Sequence, residues 1–259
     1  MASHRRLRNH SDKQFGHGHR VTYMDERVLV VIPARGGSKR IERKNLQHLD
    51  GKPLVAHAIF DANNASSVDE AIVSTDDGEI QSVARDYGGT APFLRPAELA
   101  TDNTPTAPVI THALNWVEEH GARYDIVCCI QTTAPLRKSQ DINGALNRLV
   151  TSDADSVVSV SEFLDPPQWS VAEDDDGYLY EFFDSDILWG ESTRSQDLIS
   201  LKHPNGAVFA AYVDAWREQE SFYTDKTIGY EMPPLRSFDI DEPWEMELVR
   251  ALSRSEFGN

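Results

Sequence analysis

Cysteine is nearly absent. The chain has two in 259 residues, Cys128 and Cys129, adjacent in an apolar stretch. Such a pair builds neither a disulfide framework nor a zinc spacing, and it reads as inert core. Long apolar runs are missing too. Nothing approaches the roughly 18–20 residues of a membrane span, and the N-terminus has no apolar segment of a secretory signal. A soluble protein in a reducing cytoplasm is expected, without a membrane partner. Positive charge is scarce, with 25 Lys and Arg against 42 Asp and Glu, for a net charge of −17. That balance argues against nucleic acid as a partner, because duplex binding wants a basic face. It is compatible with a salt-adapted surface, whose self-repulsion high salt would screen. No Ser/His/Asp or Cys/His arrangement stands out as a covalent nucleophile.

Against this acidic background one stretch is strongly cationic. Val28 to Pro33 is an apolar, β-branched run that reads as a buried strand ended by proline. Arg35-Gly36-Gly37-Ser38-Lys39-Arg40 follows, then Arg43, Lys44 and Asn45. Glycines let the backbone turn and approach a ligand, and the cations suit a polyphosphate. The loop is not a Walker loop, since Gly37 precedes Ser38 and not lysine. Nor is it a dinucleotide fingerprint, since no third glycine follows.

The first 26 residues lack periodicity and read as a disordered extension; residues 27–259 form the domain. Pro53 is placed to open an amphipathic helix, and Glu70 to Ser74 reads as a strand. Asp76 with Glu79 predicts a capping box for a helix through Tyr87, ended by Gly88-Gly89. Thr90 to Leu94 reads as a third strand. Residues 105–120 read as a helix with His112 on its polar face, Asp125 to Ile130 as a strand, 140–151 as a helix, and Ser156 to Val160 as a strand. This alternation predicts an α/β, doubly wound, mainly parallel sheet with ligands beyond the strands' carboxyl ends. From residue 163 to 203 the rhythm breaks. Prolines, an acidic run at 173–176 and aromatics including Trp169, Tyr178, Tyr180, Phe182, Phe183 and Trp189 predict an insertion that packs on a second subunit.

Asp239 and Asp241 lie two apart in a segment that reads as extended, so their carboxylates share a face and Ile240 points to the other. Two convergent carboxylates suit Mg²⁺, which binds oxygen ligands and shares its remaining positions with substrate phosphates. The plain alternative is a cap for the C-terminal helix that Glu242-Pro243 opens. Asp76 and Asp77 read as structural. Phosphate-binding cations plus carboxylates, with no nucleophile, point to nucleotidyl transfer by positioning and charge stabilisation.

IPARGGSKRIERKN resembles the signature of the acylneuraminate cytidylyltransferases, I-P-A-R-x-G-S-K-x-x-x-x-K-N. VSTDD, LRPAELATDNTPT, QTTAPLR, TRSQDL, PNGAVF and SFDID follow in that family's order. The resemblance implies a Rossmann-like nucleotidyltransferase fold, akin to the GT-A sheet, a homodimer, and transfer of CMP from CTP to a nine-carbon sugar acid. By position it implies that Ala34, Arg35, Gly36, Gly37, Ser38, Lys39, Lys44 and Asn45 hold the CTP phosphates, and that Arg95, Thr104 and Thr106 read the cytosine. Gln131, Arg194, Gln196, Asn205 and Gly206 would line the sugar side, and Asp239 and Asp241 would hold Mg²⁺. Arg35, Lys44 and Asp241 would carry catalysis.

Two positions depart from the pattern. Thr132 stands where many neuraminate enzymes have proline, and Ser195 where many have a second arginine. An arginine there would partner the sugar's carboxylate or polar tail, so the particular sugar stays open. Three rivals are a Kdo-type sugar-acid cytidylyltransferase, a non-catalytic nucleotide-binding relative and a D-x-D glycosyltransferase. The last does not account for a cationic Gly-Gly-Ser-Lys loop at the first strand.

Overall fold

The structure is a computed structural model that describes residues 26–183, 188 and 194–255. The expected N-terminal extension lies outside these residues but for its last one, and Trp189 lies outside them as well. The described residues form ten strands: β1 Val28–Pro33, β2 His48–Leu49, β3 Lys52–Pro53, β4 Glu70–Ser74, β5 Ile126–Cys129, β6 Ser156–Glu162, β7 Val171–Glu173, β8 Leu179–Glu181, β9 Lys202–Tyr212 and β10 Thr227–Glu231. Among the described residues six α-helices accompany them: α1 Leu54–Asn64, α2 Gly78–Asp86, α3 Thr106–Glu119, α4 Ser139–Val150, α5 Val213–Gln219 and α6 Pro243–Ser253.

The central sheet runs β10-β6-β9-β5-β1-β4. β1 is parallel to β4 and β5, and β10 to β6, whereas β9 is antiparallel to both its neighbours. The sheet is thus mainly parallel and covered on both faces, which is why β1 and β5 are apolar throughout. Alternation along β1 divides the core. Val28, Val30 and Ile32 pack with α1 and α4, and Leu29 and Val31 pack with α3 and Trp216 of α5. Cys128 and Cys129 are fully buried in β5, and burial pushes the Cys129 thiol up to about 12. No helix among the described residues is long and apolar enough to cross a membrane.

Four local expectations change. Asp77, not Asp76, caps α2, accepting from the amides of Glu79 and Ile80. The stretch from Thr90 to Leu94 is not a strand and makes only isolated bridges, at Ile72↔Thr90 and Thr75↔Leu94. Pro92, with no N–H to donate, interrupts the ladder between them. Ser237 to Asp241 is likewise not a strand: it follows a 3₁₀ turn at Pro234–Arg236, and Ile240 donates to the Thr133 carbonyl at 2.8 Å. Ile240 still points inward, into a small core with Leu49, Leu54, Leu136, Met246 and Val249. His112 is not on a fully polar face. It is half-buried, with its ring edge-on to Phe93 and its Nδ1 unpartnered among the described residues, and burial lowers its pKa.

Candidate active site

The loops after β1 and β5 meet beyond the carboxyl ends of adjacent strands. They form one side of a cleft of about 370 Å³, lined by Arg35, Gly37, Ser38, Lys44, Asn45, Gln131, Thr132 and Thr133. Arg95, Thr101, Thr104, Pro105 and Thr106 close another side, and Asp239 and Asp241 complete it. A smaller recess of about 230 Å³ adjoins it, where Arg35, Ser38, Lys39, Arg40 and Lys44 surround Asp102 and Asp241.

Lys44 joins the two chemical halves. Its side chain is mostly buried, and Nζ donates to the Ile240 carbonyl at 2.7 Å and to Asp241 Oδ1 at 2.9 Å. Arg40 also approaches Asp241, at 3.7 Å. Arg35 and Lys39 converge on Asp102, at 2.8 Å and 2.7 Å. The Lys39 hydrogen bond, more than any other contact, holds the Asp102 carboxyl below its ordinary range.

The glycine loop is not a free anion nest. Gly36 N–H donates to Asp76 Oδ1 at 3.0 Å, and a Cβ at Gly36 would fall 2.6 Å from Asp77 Oδ2. Glycine is therefore required there by α2, whatever binds in the cleft. Ala34 is fully buried and continues β1 by donating to the Ser74 carbonyl, so its side chain is outside the cleft. Asn45 lines the cleft, but its amide is committed to the Arg35 carbonyl and to Thr132.

Arg95 is buried, and its Nε has no hydrogen-bond partner among the described residues. Burial lowers its pKa, partly opposed by Asp76, which stands 3.8 Å from it. Such a cation needs an acceptor. The cleft beside it also holds the threonines of the turn, Thr104 accepting from Thr101 N–H, and Thr106 at the start of α3.

On the opposite side, Gln131 and Gly206 touch. Gly206 has φ +74°, and a Cβ there would stand 3.0 Å from Gln131 Oε1 and 3.4 Å from Asp239 Oδ2. Asn205 is buried beneath, where its Oδ1 accepts from Ser159 and its Nδ2 donates to Ser237 at 2.9 Å, so it supports the wall and does not line it. Arg194 and Gln196 are exposed at a 3₁₀ turn of the insertion, and neither lines the cleft. Gln196 borders a separate groove with Phe163, Leu164 and Ile199.

Sequence reading missed two parts of this region. One is an apolar pocket of about 380 Å³ that shares Pro105, Thr106 and Gln131 with the cleft and is walled by Phe209, Trp216, Phe222 and Tyr223. Its aromatics come from β9, α5 and the turn after it, and no single stretch of sequence displays them together. The other is Arg137, whose fully buried guanidinium donates to the carbonyls of Gln131 and Ala207, at 2.9 and 3.1 Å, and to Asp61 at 3.3 Å.

The D-x-D residues fit a divalent cation on one observation. Asp239 Oδ1 is buried with no hydrogen-bond partner among the described residues. Burial is the main cause raising the Asp239 carboxyl above its ordinary range. A hydrogen bond from Thr133 opposes the shift, and the neighbouring Asp241 adds to it. A cation would supply the missing partner and favour the carboxylate. Among the described residues no group of three or more metal-ligating side chains exists, so phosphates or water would have to complete the coordination.

A cationic loop at the head of a doubly wound sheet, tied through one lysine to a D-x-D pair, is an arrangement that nucleotidyl transfer can use. The chain's family follows from comparison. Residues 29–254 match the family described as Cytidylyltransferase, and the chain belongs to that family. It is 33% identical over 224 residues to the pseudaminic acid cytidylyltransferase of Campylobacter jejuni, across 86% of this chain and 95% of that one. It is 36% identical over 231 residues to the CMP-N,N'-diacetyllegionaminic acid synthase of Legionella pneumophila, across 87% and 96%. Among solved structures, a CMP:2-keto-3-deoxy-manno-octonic acid synthetase complexed with CTP superposes with a TM-score of 0.62 at 20% identity, over 87% of this chain and 98% of that one. That likeness supports the fold.

Proposed function

We propose that the protein transfers CMP from CTP to the anomeric hydroxyl of a sialic-acid-like nonulosonate of the neuraminate, legionaminate or pseudaminate type, releasing pyrophosphate. The observation that carries this reading is Lys44, which sits on the phosphate loop and holds the D-x-D segment. Arg35, Lys39 and Lys44 bind the triphosphate, and Arg35 and Lys44 offset the charge that grows on the departing pyrophosphate. Arg95 and the turn around Thr104 and Thr106 take the cytosine, whose carbonyl and ring nitrogen supply the acceptor that Arg95 lacks. The sugar hydroxyl attacks the α-phosphorus. A new P–O bond forms, the α–β anhydride breaks to release pyrophosphate, and the hydroxyl proton passes to water, with no covalent enzyme intermediate.

Asp239 and Asp241 would hold Mg²⁺, which when bound neutralises phosphate charge. The sugar lies toward Gln131 and Gly206, and the adjoining aromatic pocket suits an apolar substituent such as an acyl methyl. The insertion exposes Tyr178, Tyr180 and Phe182, each more than half exposed, on and beside the β7–β8 hairpin. A second copy packed there would make the homodimer and could bring Arg194 and Gln196 to a sugar site.

Pyrophosphate release measured with each nucleoside triphosphate, Mg²⁺ and a panel of nine-carbon sugar acids tests the proposal. Release is expected with CTP and at least one such sugar. No release with any of them, or preference for an eight-carbon acid, would refute it.

Asp102 supplies a further prediction. Its carboxylate holds the two cations that the triphosphate needs, so nucleotide must displace it. Asp102→Asn should tighten CTP binding roughly two- to fivefold, the scale of exposed ion pairs. Calorimetry at several salt concentrations would check this, and weaker binding would contradict it.

A further inference from the structure

Thr132, where the sequence departs from the proline of the signature, is 3% exposed at the carboxyl end of the central strand β5. Its Oγ1 donates to Asn45 Oδ1, and Asn45 Nδ2 donates to the Arg35 carbonyl at 2.8 Å. The polarity of this chain is determined. A backbone carbonyl only accepts, so the Asn45 nitrogen must face Arg35 and its oxygen must face Thr132. The hydroxyl then has to be the donor. Valine could fill the same volume but could not donate, and it would leave a buried amide oxygen unpaired.

The chain of bonds crosses from one loop to the other. Thr132 lies on the loop that also carries Gln131 and Thr133, and Arg35 begins the cationic loop. Arg35 lines the cleft, and its backbone carbonyl is fastened by the Asn45 amide. Resting on the cytidylyltransferase reading, we propose that Thr132 is a positioning residue: its hydroxyl orients the Asn45 amide, which holds Arg35 for the triphosphate of CTP.

The test compares Thr132→Val and Thr132→Ser, by calorimetric CTP binding without sugar and by steady-state kinetics with each substrate varied. The valine variant should bind CTP roughly tenfold more weakly, the scale of one buried hydrogen bond left unmade. The serine variant should stay within about twofold of the parent. KM for the sugar at saturating CTP should be unchanged in both. In an Asn45→Ala background Thr132→Val should have almost no further effect, because the two act in series.

A valine variant with unaltered CTP affinity would overturn the proposal, even if its melting temperature fell. So would equal losses in the valine and serine variants, or an effect confined to the sugar. Thr132→Ala gives the same comparison should the valine variant fail to fold. A parent protein that binds no nucleoside triphosphate would overturn the functional reading and this inference together. A parent that binds CTP, with a valine variant that binds it equally well, would overturn this inference alone.

Discussion

Asp241→Asn should abolish CTP-dependent pyrophosphate release while leaving the fold intact. The side chain is 57% exposed, and its partners are Lys44 at 2.9 Å and Arg40 at 3.7 Å. Lys44 is mostly buried, but asparagine keeps an acceptor for it and Lys44 also keeps the Ile240 carbonyl, so the melting temperature should fall only modestly, on the scale of about 1 kcal/mol. The catalytic loss has a different origin. The carboxylate fixes Lys44 at the junction of both loops, and with Asp239 it forms the proposed Mg²⁺ site. Asparagine keeps the size but loses the charge on which both roles depend. Losing one preorganised electrostatic contact lowers kcat by about 10²–10³-fold, and losing a metal ligand as well should deepen the fall. Circular dichroism would check the fold and a coupled pyrophosphate assay the rate. Activity within tenfold of the parent would rule out the metal assignment.

Arg137→Met should be the most destabilising single change near the site. The guanidinium is fully buried between α1 and the sheet, and methionine would leave Asp61 and two carbonyls without it. Breaking a buried pair from one side costs about 3–5 kcal/mol, and urea unfolding should show a loss of that size. The loss should depend on pH. Burial pushes the Asp61 carboxyl from 3.8 up to about 6, with Arg137 opposing the shift. Because the folded-state value lies above the unfolded one, stability from the neutral carboxyl is present in acid and lost as pH rises through about 6. Removing Arg137 takes away the opposing charge, so the variant's deficit should be smaller near pH 5 than near pH 7. A deficit independent of pH would mean that the carbonyls, not the carboxylate, carry the loss.

The parts legible in sequence were those whose physics is local. The apolar run of β1, Pro53 before α1 and Glu242-Pro243 before α6 announce elements by period and capping. The phosphate loop and the D-x-D pair were visible because each is contiguous. The capping box is off by one residue: the spacing to Glu79 favours Asp76, but Asp76 accepts from the Gly36 N–H and Asp77 takes the helix amides. The strand expected at Thr90 failed on Pro92, a local signal that the apolar pattern outweighed. Arg137 and the aromatic pocket were hidden for another reason: their partners lie on α1, α5 and β9, far away in sequence.

The bond from Lys44 to the Ile240 carbonyl spans 196 residues. The cationic loop is among the first parts of the domain to leave the ribosome, yet its anchor is among the last. A nascent chain could assemble β1, β4 and β5 and still lack a fastened lysine. Fastening of Lys44 is therefore a late event in the synthesis of this domain, arriving when the segment before α6 docks and not when the sheet closes.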